Sequence, residues 1–275
     1  MSLLSKVRHH FWPKRGQEAN WRPKVLPNER IYAVGDIHGR ADLLVRLHEL
    51  IQKDAQMYGQ AKNKKIIYLG DYIDRGLDSK TVIDILLSQP LEGFQQVFLR
   101  GNHEDLLLRC FLDPQAWPQW VGLGGAATAL SYGASLRRSE AEDDHGEDDD
   151  GNERIRQDFL RRIPPEHRRF LEGLQLSCRS GDYFFVHAGV RPHVPLEQQD
   201  PQDLMWIRED FLRHKASLGV VVVHGHSISL QPEVLPQRIG IDTGAYATNA
   251  LSCVVLDGPH RRFLSTGPID FSPDG

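Results

Sequence analysis

Four short polar segments each follow a run of apolar residues, and this repeated pairing is what most constrains the fold. Three times before Cys110, an apolar run of strand length leads into a polar segment and then into aliphatic residues at helical spacing. Alternating strands and helices predict βαβ units, in which the loops at the carboxyl ends of parallel strands lie side by side. The polar segments are therefore expected to meet at one edge of a sheet. They are Gly35-Asp36-Ile37-His38-Gly39, Gly70-Asp71-Tyr72-Ile73-Asp74-Arg75-Gly76, Gly101-Asn102-His103-Glu104 and His187-Ala188-Gly189.

The second half of the chain has more strand patterns than helical ones. Apolar runs end just before His187, His224, Asp242 and Asp257, and the connections between the later runs are short. These runs predict a second sheet stacked on the first, within one catalytic domain. The fold class expected from the pattern is α/β.

Charge and cysteine content narrow the functional classes. The net charge of -4 and the pI near 6.3 argue against nucleic acid as a partner held by bulk electrostatics. Three widely spaced cysteines are typical of a reducing compartment rather than of a disulfide framework. We expect no transmembrane segment, because no apolar run is long enough, and no signal peptide; a cytoplasmic protein is therefore predicted.

Three segments are expected to decorate a catalytic domain of residues 29–265. Residues 1–28 are predicted to be a flexible basic arm, with weak contact to a membrane surface as an alternative. Residues 136–156 include an acidic run from Glu140 to Glu153 without lysine or arginine, which predicts a mobile, solvated insertion. Residues 266–275 are expected to be a tail.

Carboxylate and imidazole groups dominate the polar segments. Asp36 and His38 stand two residues apart, so on an extended backbone both point to one side and can hold the same ion. Asp71 follows a buried strand, where an unpaired charge is costly, so it either forms a salt bridge or bridges two metal ions. Oxygen ligands mixed with imidazole suit Mn, Fe or Zn. Two such ions about 3.5–4 Å apart can share a water and bind a phosphoryl group.

The other polar residues suggest further ligands, an acid and an anion-binding group. Asn102 and His103 are adjacent and do not easily serve one ion together, so one ligand and one general acid is the natural division, although Asn102 also suits a helix N-cap. Asp74 can orient His103, and the planar guanidinium of Arg75 suits phosphate oxygens. Three histidines that follow later strands are candidates to complete a second ion's shell: His187 and either His224 or His226.

These motifs resemble those of the phosphoprotein phosphatase family, the serine/threonine phosphatases of the calcineurin-like metallophosphoesterase superfamily. The resemblance extends from about Ile31 to Asp257, and Trp206-Ile207-Arg208-Glu209 is similar to a segment of the short bacterial members. It implies a four-layer fold, a central β-sandwich of two mixed sheets with helices on both outer sides. It also implies two metal sites, formed by Asp36, His38 and Asp71 and by Asp71, Asn102, His187 and His226.

The same resemblance implies roles for the residues around the metals. His103 is expected to be the general acid with Asp74 behind it. His226 is preferred as the last ligand because the family's ligand follows a small residue, here Gly225. Arg191 is a weaker candidate for the rim of the pocket. The residues expected to bind phosphate oxygens are Arg75, Arg208 and Asn102.

The function implied is a serine/threonine protein phosphatase, a phosphomonoesterase in which a hydroxide bridging two divalent ions attacks phosphorus directly. Mn²⁺ is the expected metal, with Fe or Zn as alternatives, and a phosphorylated protein or peptide is the expected partner of a monomeric enzyme. One alternative keeps the site but changes the substrate to a dinucleoside polyphosphate or another nucleotide. A second alternative, of another class, is a scaffold that binds phosphopeptides without turnover.

Overall fold

The first of two five-stranded sheets contains the predicted strand and helix repeats. The structure, a computed structural model, describes residues 21–58, 63–136 and 149–268. The strands of this sheet are β1 (Glu29–Val34), β2 (Asn63–Tyr68), β3 (Phe94–Phe98), β9 (Ser252–Asp257) and β10 (His260–Ser265), in the spatial order β10-β9-β1-β2-β3. β1, β2 and β3 are mutually parallel, whereas β9 is antiparallel to β1 and to β10. The predicted parallel start of the sheet is confirmed.

The second sheet is built from the middle of the second half of the chain. Its strands are β4 (Ser177–Ser180), β5 (Tyr183–Val186), β6 (Val221–His224), β7 (Glu233–Leu235) and β8 (Arg238–Gly240), in the spatial order β4-β5-β6-β8-β7. β5, β6 and β8 are parallel. A second sheet was predicted correctly, but the run from Ser252 was assigned to it wrongly. That run is β9, which pairs along the free edge of β1 with Val34 opposite Cys253.

Alternation along the strands separates three buried apolar layers. Ile31 and Ala33 of β1 pack with Phe185 and Val223 of the other sheet, and so form the layer between the sheets. Tyr32 points to the opposite face and joins the helices that cover the first sheet. A third layer lies on the outside of the second sheet, where Phe184 and Val186 pack with Leu204 and Phe211. The chain therefore forms a β-sandwich with helices on both outer sides, as predicted.

Ten α-helices lie in the described ranges. Residues of the first seven pack in the layer on the first sheet, and three short helices come later in the chain. They are α1 (Ala41–Met57), α2 (Ser79–Ser88), α3 (Asn102–Cys110), α4 (Ala116–Trp120), α5 (Ala126–Ser131), α6 (Asp149–Arg162), α7 (Pro165–Glu172), α8 (Pro201–Trp206), α9 (Glu209–Leu212) and α10 (Ala245–Thr248). α2 ends two residues before Pro90, a residue that cannot continue a helix. No helix in the described ranges has the length and apolar character needed to cross a membrane.

The structure describes parts of the segments that are expected to decorate the domain. Val25 is only 4% exposed, and the backbone of Lys24 exchanges hydrogen bonds with Asp182, so residues 21–28 pack on the domain. Residues 149–156 of the predicted insertion begin α6. Within this helix Arg156 is buried and pairs with Glu153 at 2.7 Å. The predictions for residues 1–20, 137–148 and 269–275 fall outside the described residues.

Candidate metal centre

Backbone hydrogen bonds connect the polar segments at the carboxyl ends of the strands. The amides of Ile37 and His38 donate to the carbonyl of Asp71, at 3.0 and 2.8 Å. On the other sheet, the amide of Gly225 donates to the carbonyl of His187 at 2.8 Å. A hydrogen bond also links the two sheets at this place: the His226 amide, after β6, donates to Asp36 Oδ2, after β1, at 3.0 Å. The strands thus bring all four segments to one place, as expected of parallel strands.

Asp71 lies at the centre of this region with its two oxygens directed to different histidines. Oδ2 is 3.5 Å from His38 Nε2 and 3.8 Å from His103 Nε2, whereas Oδ1 is 3.4 Å from His187 Nε2. Burial alone would raise the pKa of Asp71, but the surrounding imidazoles hold it below its ordinary value. Two groups with metal-ligand spacing share this carboxylate: His38, Asp71 and His103, and Asp71, His187 and His226. This geometry suits a carboxylate that bridges two ions.

Two histidines are oriented by backbone carbonyls. His38 Nδ1 lies 2.8 Å from the carbonyl of Ile73, and His187 Nδ1 lies 2.9 Å from that of Leu69. A proton on Nδ1 leaves Nε2 as an electron-pair donor aimed at Asp71, which is the usual arrangement of a metal-binding histidine. Burial lowers the pKa of His38 to about 3, so the neutral, ligating form is favoured.

Several buried atoms in this region have no hydrogen-bond partner among the described residues. They are Asp36 Oδ1, His38 Nε2, His226 Nε2 and Asp242 Oδ2. A buried polar atom without a partner is costly, and a bound ion or water is a common explanation for several such atoms in one place. Carboxylate oxygens and imidazole nitrogens are donors that Mn, Fe and Zn accept. The residues present therefore fit divalent metal ions.

Of the two histidines left open by the sequence, the structure places His226 in the cluster. Its Nδ1 lies 3.2 Å from His187 Nε2, within the group centred on Asp71. His224 Nδ1 lies 3.0 Å from the carbonyl of Gly225, and its Nε2 lies 3.3 Å from Arg238 Nη1. The nitrogens of His224 are thus used within the fold.

Asn102 is the first residue of α3 rather than its N-cap, which is Gly101. Its side-chain oxygen lies 3.0 Å from His187 Nε2, so it points to the same place as the second group of ligands. A side chain at Gly101 would overlap the carboxylate of Asp71, so glycine is required for this close approach. Glu104, one turn further along α3, accepts hydrogen bonds from the amides of Asp71, Tyr72 and Gly101.

His103 and Asp74 form a buried pair beside Asp71. His103 Nδ1 lies 2.7 Å from Asp74 Oδ2, and the other carboxylate oxygen accepts a hydrogen bond from the Thr128 hydroxyl at 2.6 Å. Burial would lower the pKa of His103, but the carboxylates of Asp71 and Asp74 raise it to about 9. The raised pKa favours the protonated ring that a general acid needs.

The predicted arginines differ in what contacts their guanidinium groups. Arg75 Nη2 lies 3.2 Å from His103 Nε2, and the guanidinium stacks on the ring of Tyr246 at 4.9 Å. Arg208 is exposed at the start of α9, close enough to act electrostatically on the second group of histidines. The guanidinium of Arg191, in contrast, is held by Asp203 at 2.6 Å and by a second carboxylate. It does not join the site.

Backbone strain is concentrated in the predicted site. Eight described residues other than glycine have a positive φ, a conformation that costs about 1–3 kcal/mol outside glycine. Five of them are predicted site residues: His38, Asp71, Asp74, Arg75 and His226. Such strain persists only where the surrounding structure imposes it, and it commonly marks functional positions.

Among the residues that contact the predicted site are several to which the motifs gave no role. Thr128 supports Asp74, and Tyr246 packs on Arg75 and edge-on to His38. The ring of Trp206 lies edge-on to His226. Only Trp206 had a sequence signal, since it precedes Arg208 in the recognised segment. Thr128 lies on α5 and Tyr246 on α10, and both are brought to the site by tertiary structure.

The fold and the clustered ligands are those of a metallophosphoesterase. Residues 29–253 match the calcineurin-like phosphoesterase family, and the chain belongs to that family. The predicted fold class and family are confirmed. So is the predicted enzyme at its coarser level, a hydrolase of the metallophosphoesterase type.

The proteins similar to this chain include both a nucleotide hydrolase and a protein phosphatase. The bis(5'-nucleosyl)-tetraphosphatase PrpE (asymmetrical) of Oceanobacillus iheyensis is 25% identical over 260 residues, which cover 86% of this chain and 91% of that protein. The serine/threonine-protein phosphatase PP2A-like PPG1 of Candida albicans is 41% identical over 75 residues, but these cover 27% of this chain and 16% of that protein. A crystal structure of a protein provisionally named a diadenosine tetraphosphatase aligns with a TM-score of 0.55 at 18% identity, over 89% of this chain and 99% of that one.

Proposed function

We propose that the protein hydrolyses dinucleoside polyphosphates, with diadenosine tetraphosphate as the first substrate to test. The similarity to a bis(5'-nucleosyl)-tetraphosphatase over 86% of this chain carries this proposal. Similarity to a serine/threonine phosphatase covers only 27%. The relatives therefore favour the nucleotide alternative over the protein phosphatase that the motifs predicted. Residues close to the metals bind the phosphoryl group and do not contact the rest of the substrate, so the motifs carry little information on it.

The same proposal includes a pair of divalent ions. When bound, they would supply an activated water and stabilise negative charge on the phosphoryl oxygens. Mn²⁺ is the proposed metal, with Fe or Zn as alternatives, because the ligand set mixes hard oxygens with imidazole. The proposed ligands are Asp36, His38 and Asp71 for the first ion and Asp71, Asn102, His187 and His226 for the second.

The remaining residues of the site bind the substrate and move a proton. Arg75 and Arg208 bind phosphoryl oxygens, together with the amide of Asn102. As water oxygen bonds to phosphorus and the bond to the leaving oxygen breaks, His103 donates the proton from Nε2 to that oxygen. Asp74 keeps the His103 ring oriented through the 2.7 Å contact at Nδ1. No covalent phosphoenzyme is required.

One observation favours phosphoserine and phosphothreonine peptides as the second candidate substrate. A general acid whose pKa is raised to about 9 is most useful when the leaving group is a poorly stabilised alkoxide. The side chains of serine and threonine are such leaving groups, whereas a departing nucleoside phosphate needs less help. The protonated His103 therefore supports a phosphomonoesterase activity on the same site.

Phosphate release and nucleotide products can be compared after metal-free purification and addition of Mn²⁺, Mg²⁺, Zn²⁺ or Fe²⁺. The substrates are diadenosine tetraphosphate and phosphoserine, phosphothreonine and phosphotyrosine peptides. Asp71→Asn removes a proposed bridging carboxylate, and Asp113→Asn is the control because Asp113 is exposed. Preferential dinucleotide cleavage that Asp71→Asn abolishes supports the proposal. Preferential peptide turnover restores the protein phosphatase. Peptide binding without turnover in any metal indicates the scaffold.

A further inference from the structure

Asp242 is a buried acidic residue beside the metal centre that the motifs left without a role. It follows β8, whose carboxyl end lies next to that of β6 because the two strands are parallel. The residue is 2% exposed, and its carbonyl accepts a hydrogen bond from the amide of Ser229 at 3.0 Å. Asp242 therefore reaches the same edge of the sandwich as His226, by the same strand-end geometry as the other polar residues.

The side chain of Asp242 has one used oxygen and one unused oxygen. Oδ1 accepts a hydrogen bond from the amide of Gly244 at 2.9 Å. Oδ2 is buried and has no hydrogen-bond donor in the described ranges, and the same is true of Asp36 Oδ1. The two carboxyl groups are close enough to act on each other directly. Two carboxylates that face each other are both acceptors, so only a proton or a cation can satisfy the contact.

Asp71 adds a third carboxylate to this group. Its charge acts on both Asp36 and Asp242, and the guanidinium of Arg75 also acts on both. Buried carboxylates this close together are costly unless protons or cations neutralise them. The arrangement is an excess of negative charge directed at one point.

We propose that Asp242 belongs to the metal centre and supplies its free carboxylate oxygen to the divalent ion that Asp36 holds. The inference rests on the proposed metal-dependent function. It adds a residue on a strand end that lies outside the four polar segments. The competing explanation is purely local: Oδ1 closes a turn with Gly244, which would need no charge.

An asparagine separates the two explanations. Asp242→Asn keeps a side-chain oxygen that can accept from Gly244, but removes the negative charge. Asp113→Asn is a matched control, because Asp113 Oδ1 also accepts from an amide two residues on, that of Gln115 at 2.9 Å, and is exposed. Asp242→Ser provides a second variant, since a serine hydroxyl can close the same turn without a carboxylate.

Calorimetric titration of the metal-free proteins with Mn²⁺ is the first measurement, and the melting temperature without metal is the second. The wild type is expected to bind two ions, and both Asp242 variants should bind one of them about 10–100-fold more weakly. Their melting temperature without metal should rise, because repulsion with Asp36 is removed. Asp113→Asn should match the wild type in affinity.

Wild-type affinities in a folded Asp242 variant would overturn the inference, with or without a change in melting temperature. A lower melting temperature with unchanged affinities would assign Asp242 to the turn alone. If the wild type binds no divalent ion, the proposed metal-dependent function fails, and the inference fails with it. Wild-type binding therefore tests the function, and the difference between the variants tests Asp242.

Discussion

Two regions of the molecule bury ionisable side chains, and they differ in whether the polar atoms of those side chains have hydrogen-bond partners. One is the metal centre described above. The other, the α1 cluster, consists of Tyr32, His48, Asp54, Tyr68 and Arg262, where α1 packs on the first sheet. In the α1 cluster, Asp54 accepts hydrogen bonds from Tyr32 at 2.7 Å and from Arg262 at 2.6 and 2.8 Å, so both carboxylate oxygens are used. In the metal centre, by contrast, Asp36 and His38 each keep an atom without a partner.

This difference in hydrogen bonding indicates that one region serves stability and the other serves function. A buried carboxylate that is fully paired within the chain holds structural elements together and needs nothing from outside. A carboxylate that is left unpaired, on a backbone held in a strained conformation, is maintained for a ligand. Substitutions in the two regions should therefore have opposite consequences for activity and folding.

The largest expected effect is at Asp71. Asp71→Asn should lower turnover more than about 1000-fold, because it weakens the carboxylate proposed to bridge both ions. The protein should remain folded, since asparagine keeps the size of the side chain. The check is kcat with saturating Mn²⁺, alongside circular dichroism. Turnover within tenfold of the wild type would remove Asp71 from the metal centre and weaken the contrast with the α1 cluster.

A substitution in the α1 cluster should affect stability rather than activity. Asp54→Asn should lower the free energy of unfolding by about 3 kcal/mol, because it leaves the guanidinium of Arg262 without its carboxylate. Arg262 is 28% exposed, so solvent limits the loss to the lower end of the range for buried pairs. Urea denaturation measures the effect, and kcat per folded molecule should not change. A loss of activity without a loss of stability would mean that the two regions are coupled.

Much of the first sheet was predictable because its signals are local. β1 to β3 and α1 to α3 have clear periodicity, and each polar segment follows its strand directly. β7 and β10 were missed because they are short or exposed edge strands, and β10 contains Arg261 and Arg262 in place of an apolar run. The sheet to which β9 belongs depends on the free edge of β1, which is distant in the chain.

The site was predictable to the extent that its residues stand in contiguous segments. Asp36, Asp71, Asn102 and their neighbours have strong motifs, and the structure brings these segments together. Thr128 and Tyr246 have only tertiary proximity to connect them to the site, so no local pattern could single them out. Asp242 does follow an apolar run, but it stands outside the recognised motifs. The identity of the substrate is even less predictable than these residues, because it depends on protein surfaces that contact the substrate beyond its phosphoryl group.

The His103–Asp74 pair sharpens the comparison, since it is fully paired yet lies in the metal centre. His103→Ala should lower turnover of an alkyl phosphate about 100-fold, because the departing alkoxide loses its proton donor. An aryl phosphate with a good leaving group should lose much less. The measurement is kcat/KM for both substrates at saturating Mn²⁺. Equal losses would contradict the acid role and would make the pair structural, like Asp54 and Arg262.

The smallest effect tests the α1 cluster through pH. His48 Nε2 lies 2.8 Å from the Tyr68 hydroxyl, and burial lowers the pKa of His48 from 6.5 to about 4. The folded state therefore binds this proton more weakly than the unfolded state, so stability is complete above the unfolded pKa and declines as pH falls through 6.5 towards 4. Between pH 7 and pH 5 His48 should account for a loss of about 2 kcal/mol. Urea denaturation of the wild type and of His48→Gln at both pH values isolates this contribution, because the other histidines titrate equally in both proteins. A difference between the two proteins that does not change with pH would show that His48 does not titrate in this range, and the loss of stability in acid would then come from other groups.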